Sequence, residues 1–440
     1  MTVIVNPTAS TNGSGSLVSP KNTWAGLTWT AGETYLQVEG TAYAGTIAPS
    51  SGGSAGSPIN IGVCEAQTGN RVQGLGLAKV NAAGQNYGVF LSSSVQYVNV
   101  CSLEIVGASV YGAVKDTASQ SPSAEANCSF ERLYVHDILN PGNTVKGIIV
   151  YGSGNRVLDN LVEDIGSGGI YATADGVVVS GNRIRRSMLD LAVFSGDCIH
   201  LVNCDAPMVE YNSCDHTQIS AKAAIIHDGG GVGGVFRFNV CRMARYETAN
   251  AQPPKCMNIT SDGCDVYGNL VEEGEYGLWL QGEGNRAYAN VITTSSPLSV
   301  AAAAIVGVSN RLYHNAIVGR GVGRGISNSS ASYTSVEIVN NIVVGFAVGI
   351  RYPNSGTLEA GNILYGCDTN FTDTGGTTKP GAASDVFANP QFLDALRPWL
   401  GLASTSPCRG AGAYVQGARD RFSRRYVERN IGPWASLGRS

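Results

Sequence analysis

Apolar and polar residues alternate along this chain in short runs, and asparagine interrupts the runs at regular intervals. Nine asparagines share one local pattern, with an apolar residue two positions later in all nine cases and three positions earlier in eight of nine. These are Asn160, Asn182, Asn212, Asn239, Asn269, Asn290, Asn315, Asn341 and Asn362, which follow one another at intervals of 21 to 30 residues. Glu359 is the exception among the earlier positions. The pattern therefore marks a structural unit that repeats.

The two apolar positions of each unit are five residues apart. One uninterrupted strand cannot turn both to the same face, because its side chains alternate with period two. The chain must therefore bend near the asparagine. We expect asparagine to form this bend itself, since it tolerates the left-handed backbone region and bonds to nearby backbone. Another short apolar strand follows each bend, as in GIIVY, GIYAT and GLWLQ.

A unit of strand, bend, strand, turn and strand within 21 to 30 residues predicts a right-handed parallel β-helix. Each coil buries its apolar side chains only with the help of its neighbours. The LxxLxL spacing of a leucine-rich repeat is absent, and an alternating β/α fold lacks its helices. We expect an all-β chain with an N-terminal cap and first coils at residues 1–95, a β-helix core at 96–370 and a C-terminal capping segment at 371–440.

Composition agrees with this fold and removes several classes of function. The 440 residues include 57 glycines and only 14% charged residues, which suits strands joined by many turns. A net charge of −4 provides no basic field for nucleic acid. No apolar run approaches the ~20 residues that span a membrane, so no membrane insertion is expected. The opening MTVIVNPTAS has neither a basic nor an apolar region of the secretory type, so no signal peptide is expected.

The chain resembles the pectate-lyase-like superfamily of right-handed parallel β-helices. The coil pattern GDCIHLVNC, the start SPKNTWAGLTWTAGETYLQVEGTAYAGTI and the ending DVFANPQFLD with RRYVERNIGPWA carry the resemblance. The ending is also similar to that of phage tail proteins. Because the superfamily contains lyases, hydrolases, epimerases and viral tailspikes, the resemblance implies the fold more strongly than one reaction.

Three long coils suggest where a site lies. Intervals of 30, 27 and 30 residues follow Asn182, Asn212 and Asn239, and insertions in a solenoid become loops that wall its binding face. Polar residues cluster in these coils. The catalytic candidates are Asp197, His200, Asp215, His227 and Asp228, and the substrate-binding candidates are His216, Arg242, Arg245, Tyr246, Lys255 and Trp279.

Stacked coils also turn each sequence position into a column of side chains. One predicted outward column contains Glu163, Arg185, Asp215, Arg242 and Glu272, and the next position along contains Asp164, Arg186, His216 and Met243. A second outward column contains Ile149, Tyr171, His200, His227, Asn258 and Trp279. Under this register Asp197, His200 and Asp215 point into water beside one another. The aligned tyrosines Tyr267, Tyr288 and Tyr313 are interpreted as a structural stack.

Two chemistries on a polysaccharide remain open. A hydrolase needs two carboxylates that flank the scissile bond, and its candidates are Asp197, Asp215, Asp228, Glu247 and Glu272. A lyase needs a base for the proton beside the sugar carboxylate and cations that stabilise the enolate. Its candidates are His200, His227, Lys255, Arg245 and Tyr246. There is no Walker loop, nucleophile elbow or HExxH motif.

The resemblance implies a polysaccharide depolymerase that acts on a bacterial surface glycan. Such a protein is either of the phage tailspike type, in the virion tail, or an extracellular bacterial polysaccharide lyase. The alternatives are a glycan-binding adhesin and a structural tail protein without catalysis. The expected partner is a substrate or receptor glycan, and the frequent trimers of family tailspikes suggest a homotrimer. No cofactor or metal site is expected, since no DxDxDG-type calcium loop or CxxC pair is present, and the eleven cysteines suit apolar core positions.

Overall fold

The computed structural model describes residues 1–187, 189, 197–216, 223–243, 254–353, 355–392 and 402–408. The chain divides into two compact units, Met1–Asp215 and His216–Ser440. Strands dominate both units, and within the described ranges the helical content is one 3-10 turn, Ala118–Gln120. None of the described residues form a helix long and apolar enough to cross a membrane.

The first unit has three sheets, called 1a, 2a and 3a in the order in which a coil visits them. Sheet 1a contains Thr2–Val5, Thr34–Val38, Ile59–Cys64, Val98–Cys101, Ser129–Glu131, Arg156–Leu158, Val178–Ser180 and Met208–Glu210. Sheet 2a contains Ala42–Ala44, Ala78–Asn81, Leu103–Val106, Tyr134–Ile138, Leu161–Ile165, Arg183–Ser187 and Ser213–His216, whose last residue begins the second unit. Sheet 3a contains Tyr87–Leu91, Tyr111–Lys115, Lys146–Tyr151, Gly168–Thr173 and Asp197–Val202. Neighbouring strands are parallel, and the short strand Arg71–Val72 pairs antiparallel with Ile59–Cys64.

The second unit has three sheets of the same kind, called 1b, 2b and 3b. Sheet 1b contains Val235–Arg237, Asp265–Tyr267, Arg286–Tyr288, Arg311–Tyr313, Val336–Val339 and Thr357–Ala360. Sheet 2b contains Val240–Met243, Leu270–Glu272, Val291–Thr293, Ala316–Val318, Ile342–Val344 and Ile363–Tyr365. Sheet 3b contains Ala223–Asp228, Lys255–Ile259, Tyr276–Leu280, Ala301–Ile305, Arg324–Asn328, Val348–Arg351 and Thr369–Thr372.

Each coil passes once through three parallel sheets, and each strand pairs with the equivalent strand of the next coil. This is the right-handed parallel β-helix that the repeat predicts. The apolar residues that flank each ladder asparagine lie in the core, and the residues three positions before and two positions after it are buried in every coil. The predicted boundaries at residues 95 and 370 stay predictions, and residues 409–440 of the predicted cap lie outside the described ranges.

The nine asparagines form a buried ladder of hydrogen bonds within each unit, each at most 1% exposed. Asn182 shows the pattern. Its Nδ2 donates to the Val157 carbonyl at 2.8 Å and to Asn212 Oδ1 at 3.0 Å. Its Oδ1 accepts from the backbone N–H of Asn160 at 3.0 Å and from Asn160 Nδ2 at 2.8 Å. The side chains therefore satisfy backbone groups that the bends remove from the strand ladders.

The bend itself differs from the sequence prediction. The left-handed residue is the one before each ladder asparagine, with φ between 55° and 71°. These residues are Asp159, Gly181, Tyr211, Phe238, Gly268, Ala289, His314, Asn340 and Gly361. The expectation that asparagine adopts the left-handed conformation was wrong. Its side chain points inward to its neighbours in the ladder, and the preceding residue turns the chain so that it can do so.

The tyrosine and cysteine side chains occupy structural positions. Tyr267, Tyr288 and Tyr313 are buried in consecutive register on sheet 1b. Their ring centroids are 4.8 and 5.1 Å apart and nearly parallel, as the predicted structural stack requires. All eleven cysteines are free thiols and ten are buried. They act as small apolar side chains in the core.

Candidate functional site

Asp197 and His200 lie at the start of the strand Asp197–Val202 in sheet 3a. The two residues between them, Cys198 and Ile199, are both fully buried. The strand therefore does not alternate strictly here, and Asp197 and His200 share one side of it. His200 Nδ1 lies 3.2 Å from Asp197 Oδ2. A carboxylate at this distance orients the imidazole through Nδ1.

The two side chains differ strongly in exposure. The Asp197 carboxylate is 1% exposed, whereas the His200 side chain is 18% exposed. Asp197 Oδ1 is buried without a hydrogen-bond partner among the described residues. The pair therefore combines a buried carboxylate that has a spare acceptor oxygen with an imidazole that reaches the surface.

Lys146 and Tyr171 adjoin this pair. Tyr171 is in register with His200, and their ring centroids are 5.4 Å apart. The buried Lys146 is in register with Gly168, and its Nζ lies 5.7 Å from the Tyr171 ring centroid. A Cβ on Gly168 would lie 2.8 Å from Lys146 Nζ. The missing side chain at Gly168 therefore makes room for the lysine.

Sequence reasoning missed Lys146. The signal was present in the alignment of KGIIVY with GGIYAT and DCIHLV, because Ile148, Ile170 and Ile199 share one column. Two positions earlier these strands have Lys146, Gly168 and Asp197. A column of lysine, glycine and aspartate is unusual for a half-buried strand, and it indicates a polar site on sheet 3a.

Aromatic side chains continue the outer face of sheet 3a. The Tyr151 and Tyr171 ring centroids are 6.1 Å apart, and Tyr87 stacks on Tyr111 at 6.0 Å. Burial is the main cause that raises the pKa of Tyr151 above its usual range, and the neighbouring phenol of Tyr171 adds to it. Burial likewise raises the pKa of Tyr111. These two phenols are therefore protonated at neutral pH.

Asp215 lies in sheet 2a, in strand register with Arg185, and Arg185 is in register with Glu163. The predicted column of Glu163, Arg185 and Asp215 is thus confirmed in register. The predicted grouping of Asp215 with Asp197 and His200 in water was wrong in two respects. Asp215 belongs to a different sheet from His200, and the Asp197 carboxylate is buried.

His227 is fully buried in the second unit, in register with Ile259. Its Nδ1 lies 3.6 Å from Cys264 Sγ, and its ring centroid is 5.4 Å from that of Phe236. The sequence predicts that His227 points outward in the same column as Asn258. This prediction was wrong by one residue, because the residue in register with Asn258 is Ile226. Asp228 follows at the end of this strand and is half-buried.

His216 is also buried, at 1% exposure, and so is Met243, the residue predicted to follow it outward. Burial corrects the predicted outward position of His216, and its predicted role in binding stays a prediction. Arg242 pairs with Glu272, its register partner in sheet 2b. Arg245, Tyr246 and Glu247 lie outside the described residues.

Lys255 and Trp279, two predicted binding residues, are brought together on sheet 3b. Lys255 Nζ lies 4.0 Å from the Trp279 ring centroid, which is within the range of a cation–π contact. Tyr276 is in register with Lys255, and its ring is perpendicular to Trp279 at a centroid distance of 4.6 Å. Within the described ranges, no group of three or more His, Cys, Asp or Glu side chains is placed to hold a metal ion.

Comparison with known proteins shows solved structures with a similar fold. The complex of XylC with xylose matches 99% of this chain and 98% of that chain, at 11% identity and a TM-score of 0.59. The PL6 family alginate lyase AlyGC matches at 13% identity and a TM-score of 0.53, over 96% of this chain and 60% of that chain. The GH136 lacto-N-biosidase from Eubacterium ramulus matches at 12% identity and a TM-score of 0.52, over 88% of this chain and 67% of that chain.

These likenesses concern the fold. The chain spans 60% of the alginate lyase and 67% of the lacto-N-biosidase. No protein-family model matches the chain, and no curated protein matches it. At such identities structural similarity shows architecture alone, and here it confirms the predicted parallel β-helix.

Proposed function

We propose that this chain is a polysaccharide depolymerase whose first unit cleaves an acidic glycan by β-elimination. The observation that carries the proposal is the contact of 3.2 Å between His200 Nδ1 and the buried Asp197 carboxylate, with Tyr171 and Lys146 beside it. This group supplies an oriented base, a hydroxyl acid and a positive charge on one face of sheet 3a.

Each side chain has a role in this reaction. Asp197 holds the imidazole, and His200 Nε2 removes the proton from the carbon beside the sugar carboxylate. The positive charge of Lys146 stabilises the negative charge that develops on that carboxylate. The bond to the leaving oxygen then breaks as the double bond forms, and the Tyr171 hydroxyl donates a proton to the leaving oxygen. The products are one chain end with an unsaturated sugar and one new reducing end.

The comparisons support a glycan as the ligand. The similar structures are an alginate lyase, a lacto-N-biosidase and a protein in complex with xylose. From the similarity of the ending RRYVERNIGPWA to phage tail proteins, we further propose a bacterial surface glycan as the substrate. The virion tail or the extracellular space is the corresponding location, with a homotrimer as the corresponding assembly.

The test uses the full chain with acidic capsular polysaccharides. We expect new reducing ends together with the ultraviolet absorbance of an unsaturated uronic acid. His200→Ala and Asp197→Asn should each lower the rate by about 10²-fold or more. His136→Ala is the matched control, since His136 bonds to Glu104 on sheet 2a and should leave the rate unchanged. Unchanged rates in both site variants would reject the assignment.

Other outcomes identify other functions. Reducing ends without the absorbance would indicate a hydrolase, and the two-carboxylate chemistry would replace the proposed elimination. Binding without products would indicate the adhesin instead of an enzyme.

A further inference from the structure

The outer face of sheet 3b combines aromatic and basic side chains around two alanines. One column of this face contains Lys255, Tyr276, Ala301 and Arg324, and a second contains Asn258, Trp279, Ala304, Ser327 and Arg351. The intervening positions, including Leu278, Ala303 and Ile326, are buried in the core. The aromatic and basic members of the two columns are partly exposed, whereas Ala301, Ala304 and Ser327 between them are buried.

The aromatic part of this face is rigid. Tyr276 and Trp279 pack edge to face, and Lys255 Nζ lies over the Trp279 ring. Trp279 Nε1 also donates to Gln281 Oε1 at 3.2 Å. Both rings are half-buried, and because these contacts already fix them, a sugar that packs on their exposed parts costs little further conformational entropy.

The basic part consists of Arg324 and Arg351. Arg324 and Arg351 are half-buried, and among the described residues neither has a carboxylate within ion-pair distance. Arg351 donates to the Thr374 carbonyl. On sheets 1b and 2b, by contrast, Arg242, Arg286 and Arg311 each pair with an acidic residue of the adjacent strand. Burial, together with the nearby charge of Arg351, lowers the pKa of Arg324, as expected for two cations that lack an anion between them.

The small side chain of Ala301 lies between the aromatic and the basic side chains of this face. Tyr276 and Arg324 lie two strands apart, or roughly 10 Å at the usual strand separation, and only Ala301 stands between them in the column. A larger residue there would separate the aromatic side from the basic side. Burial raises the pKa of Glu275, and the nearby charge of Lys255 opposes this effect.

We infer that the second unit carries its own binding surface for a polyuronate chain, formed by Tyr276, Trp279, Arg324 and Arg351. The aromatic rings take the apolar face of a sugar, and the arginines take its carboxylate, for which guanidinium geometry is suited. The inference rests on the proposed function in that the ligand is a glycan, and it does not depend on cleavage. The surface lies wholly within residues of the second unit.

Affinity electrophoresis of the full chain in gels that contain alginate, polygalacturonate or neutral dextran tests this surface. We expect retardation by both polyuronates and none by dextran. Arg324→Gln and Arg351→Gln should each weaken polyuronate binding about tenfold or more, and Arg324→Lys should weaken it less than Arg324→Gln. Arg311→Gln is the matched control, because Arg311 pairs with Glu337 on sheet 1b. Circular dichroism checks that each variant is folded.

The outcomes separate this inference from the proposed reaction. His200→Ala should bind polyuronates as the unaltered chain does, even if it cleaves nothing. If the unaltered chain cleaves no glycan but loses polyuronate binding on Arg324→Gln, the surface stands and the proposed reaction fails. Equal retardation by dextran, equal competition by dextran sulfate, or unchanged binding of both glutamine variants would overturn the inference.

Discussion

Replacement of a ladder asparagine tests whether the buried side-chain ladder stabilises the fold. Asn182→Ala removes the side chain from the interior of the first unit, where Asn182 is fully buried. The backbone N–H of Asn182 keeps its bond of 3.0 Å to Asn212 Oδ1, since alanine retains that group. The side-chain bonds to Asn160, Val157, Ser180 and Asn212 are lost, although Asn212 Oδ1 keeps the backbone N–H as its donor.

The expected loss in the free energy of unfolding depends on which hydrogen bonds the partners of Asn182 retain. The Asn160 backbone N–H loses the acceptor Asn182 Oδ1 and becomes a buried donor without a partner, at a cost of about 1–3 kcal/mol. Asn160 Nδ2 keeps its bond of 3.0 Å to the Phe130 carbonyl. The lost bonds of Asn160 Nδ2 and of the Val157 carbonyl therefore cost about 1 kcal/mol each. The sum is about 3–5 kcal/mol, a large fraction of the 5–15 kcal/mol typical of a folded domain.

Equilibrium unfolding in urea, followed by circular dichroism, measures this loss, and native-state hydrogen exchange locates it in the first unit. Asn143→Ala is the control in the same unit. Asn143 is exposed, and its Nδ2 donates to Asn140 Oδ1 at 3.1 Å. Its replacement should change the free energy of unfolding by less than about 0.5 kcal/mol. If Asn182→Ala costs no more than Asn143→Ala, the ladder does not stabilise the fold and this reasoning is refuted.

Three further predictions concern single residues. Burial, and then the charge of Asp385, raise the pKa of Glu359 from 4.5 to about 8, so folding favours the protonated form. That stabilisation is complete below about 4.5 and is lost as the pH rises through about 8, and Glu359→Gln should remove this dependence from unfolding measured across the same pH range. Tyr288→Ala should cost about 3–5 kcal/mol in the free energy of unfolding, because Tyr288 is stacked on both sides, whereas Tyr288→Phe should cost less than about 1.5 kcal/mol in the same assay. Gly168→Ala should lower the rate of glycan cleavage about tenfold or more by displacing Lys146, while Gly56→Ala, whose Cβ meets nothing within 4 Å, should leave the rate unchanged.

The fold was predictable because the apolar positions of the repeat are the buried positions of each coil. The position of Val162 is apolar in every coil and that of Val157 in eight of nine, since every coil contributes to the same core. The ladder position was equally visible, although its physical reason was not. An asparagine beside a bend suits either a left-handed residue or a side chain that satisfies its neighbours. Only the backbone distinguishes these, and it assigns the left-handed conformation to the preceding residue, for example Asp159.

Glu359 could also have been recognised from the sequence. It occupies the core position that is apolar in the other eight coils, and the structure buries it there. Its Oε1 accepts from Nδ2 of Asn362, the last ladder asparagine, at 2.6 Å. Asp385 Oδ1 accepts from the Asn362 backbone N–H at 2.8 Å. The two carboxyl groups thus take the place of a further asparagine, so the single departure from the pattern marks the end of the ladder.

The candidate site was harder to predict because local sequence does not determine which way a histidine points. His200 in CIHLV and His227 in IIHDG both follow two apolar residues, yet His200 is in register with Tyr171 and His227 with Ile259. A shift of one residue moves a side chain to the opposite face of a strand, and the strand that sets the register is a whole coil away in sequence. The neighbours in register therefore decide the chemistry. His227, against Cys264 and Phe236, belongs to the core, whereas His200 is partly exposed with a carboxylate at Nδ1 and is the histidine to which we assign the proton transfer.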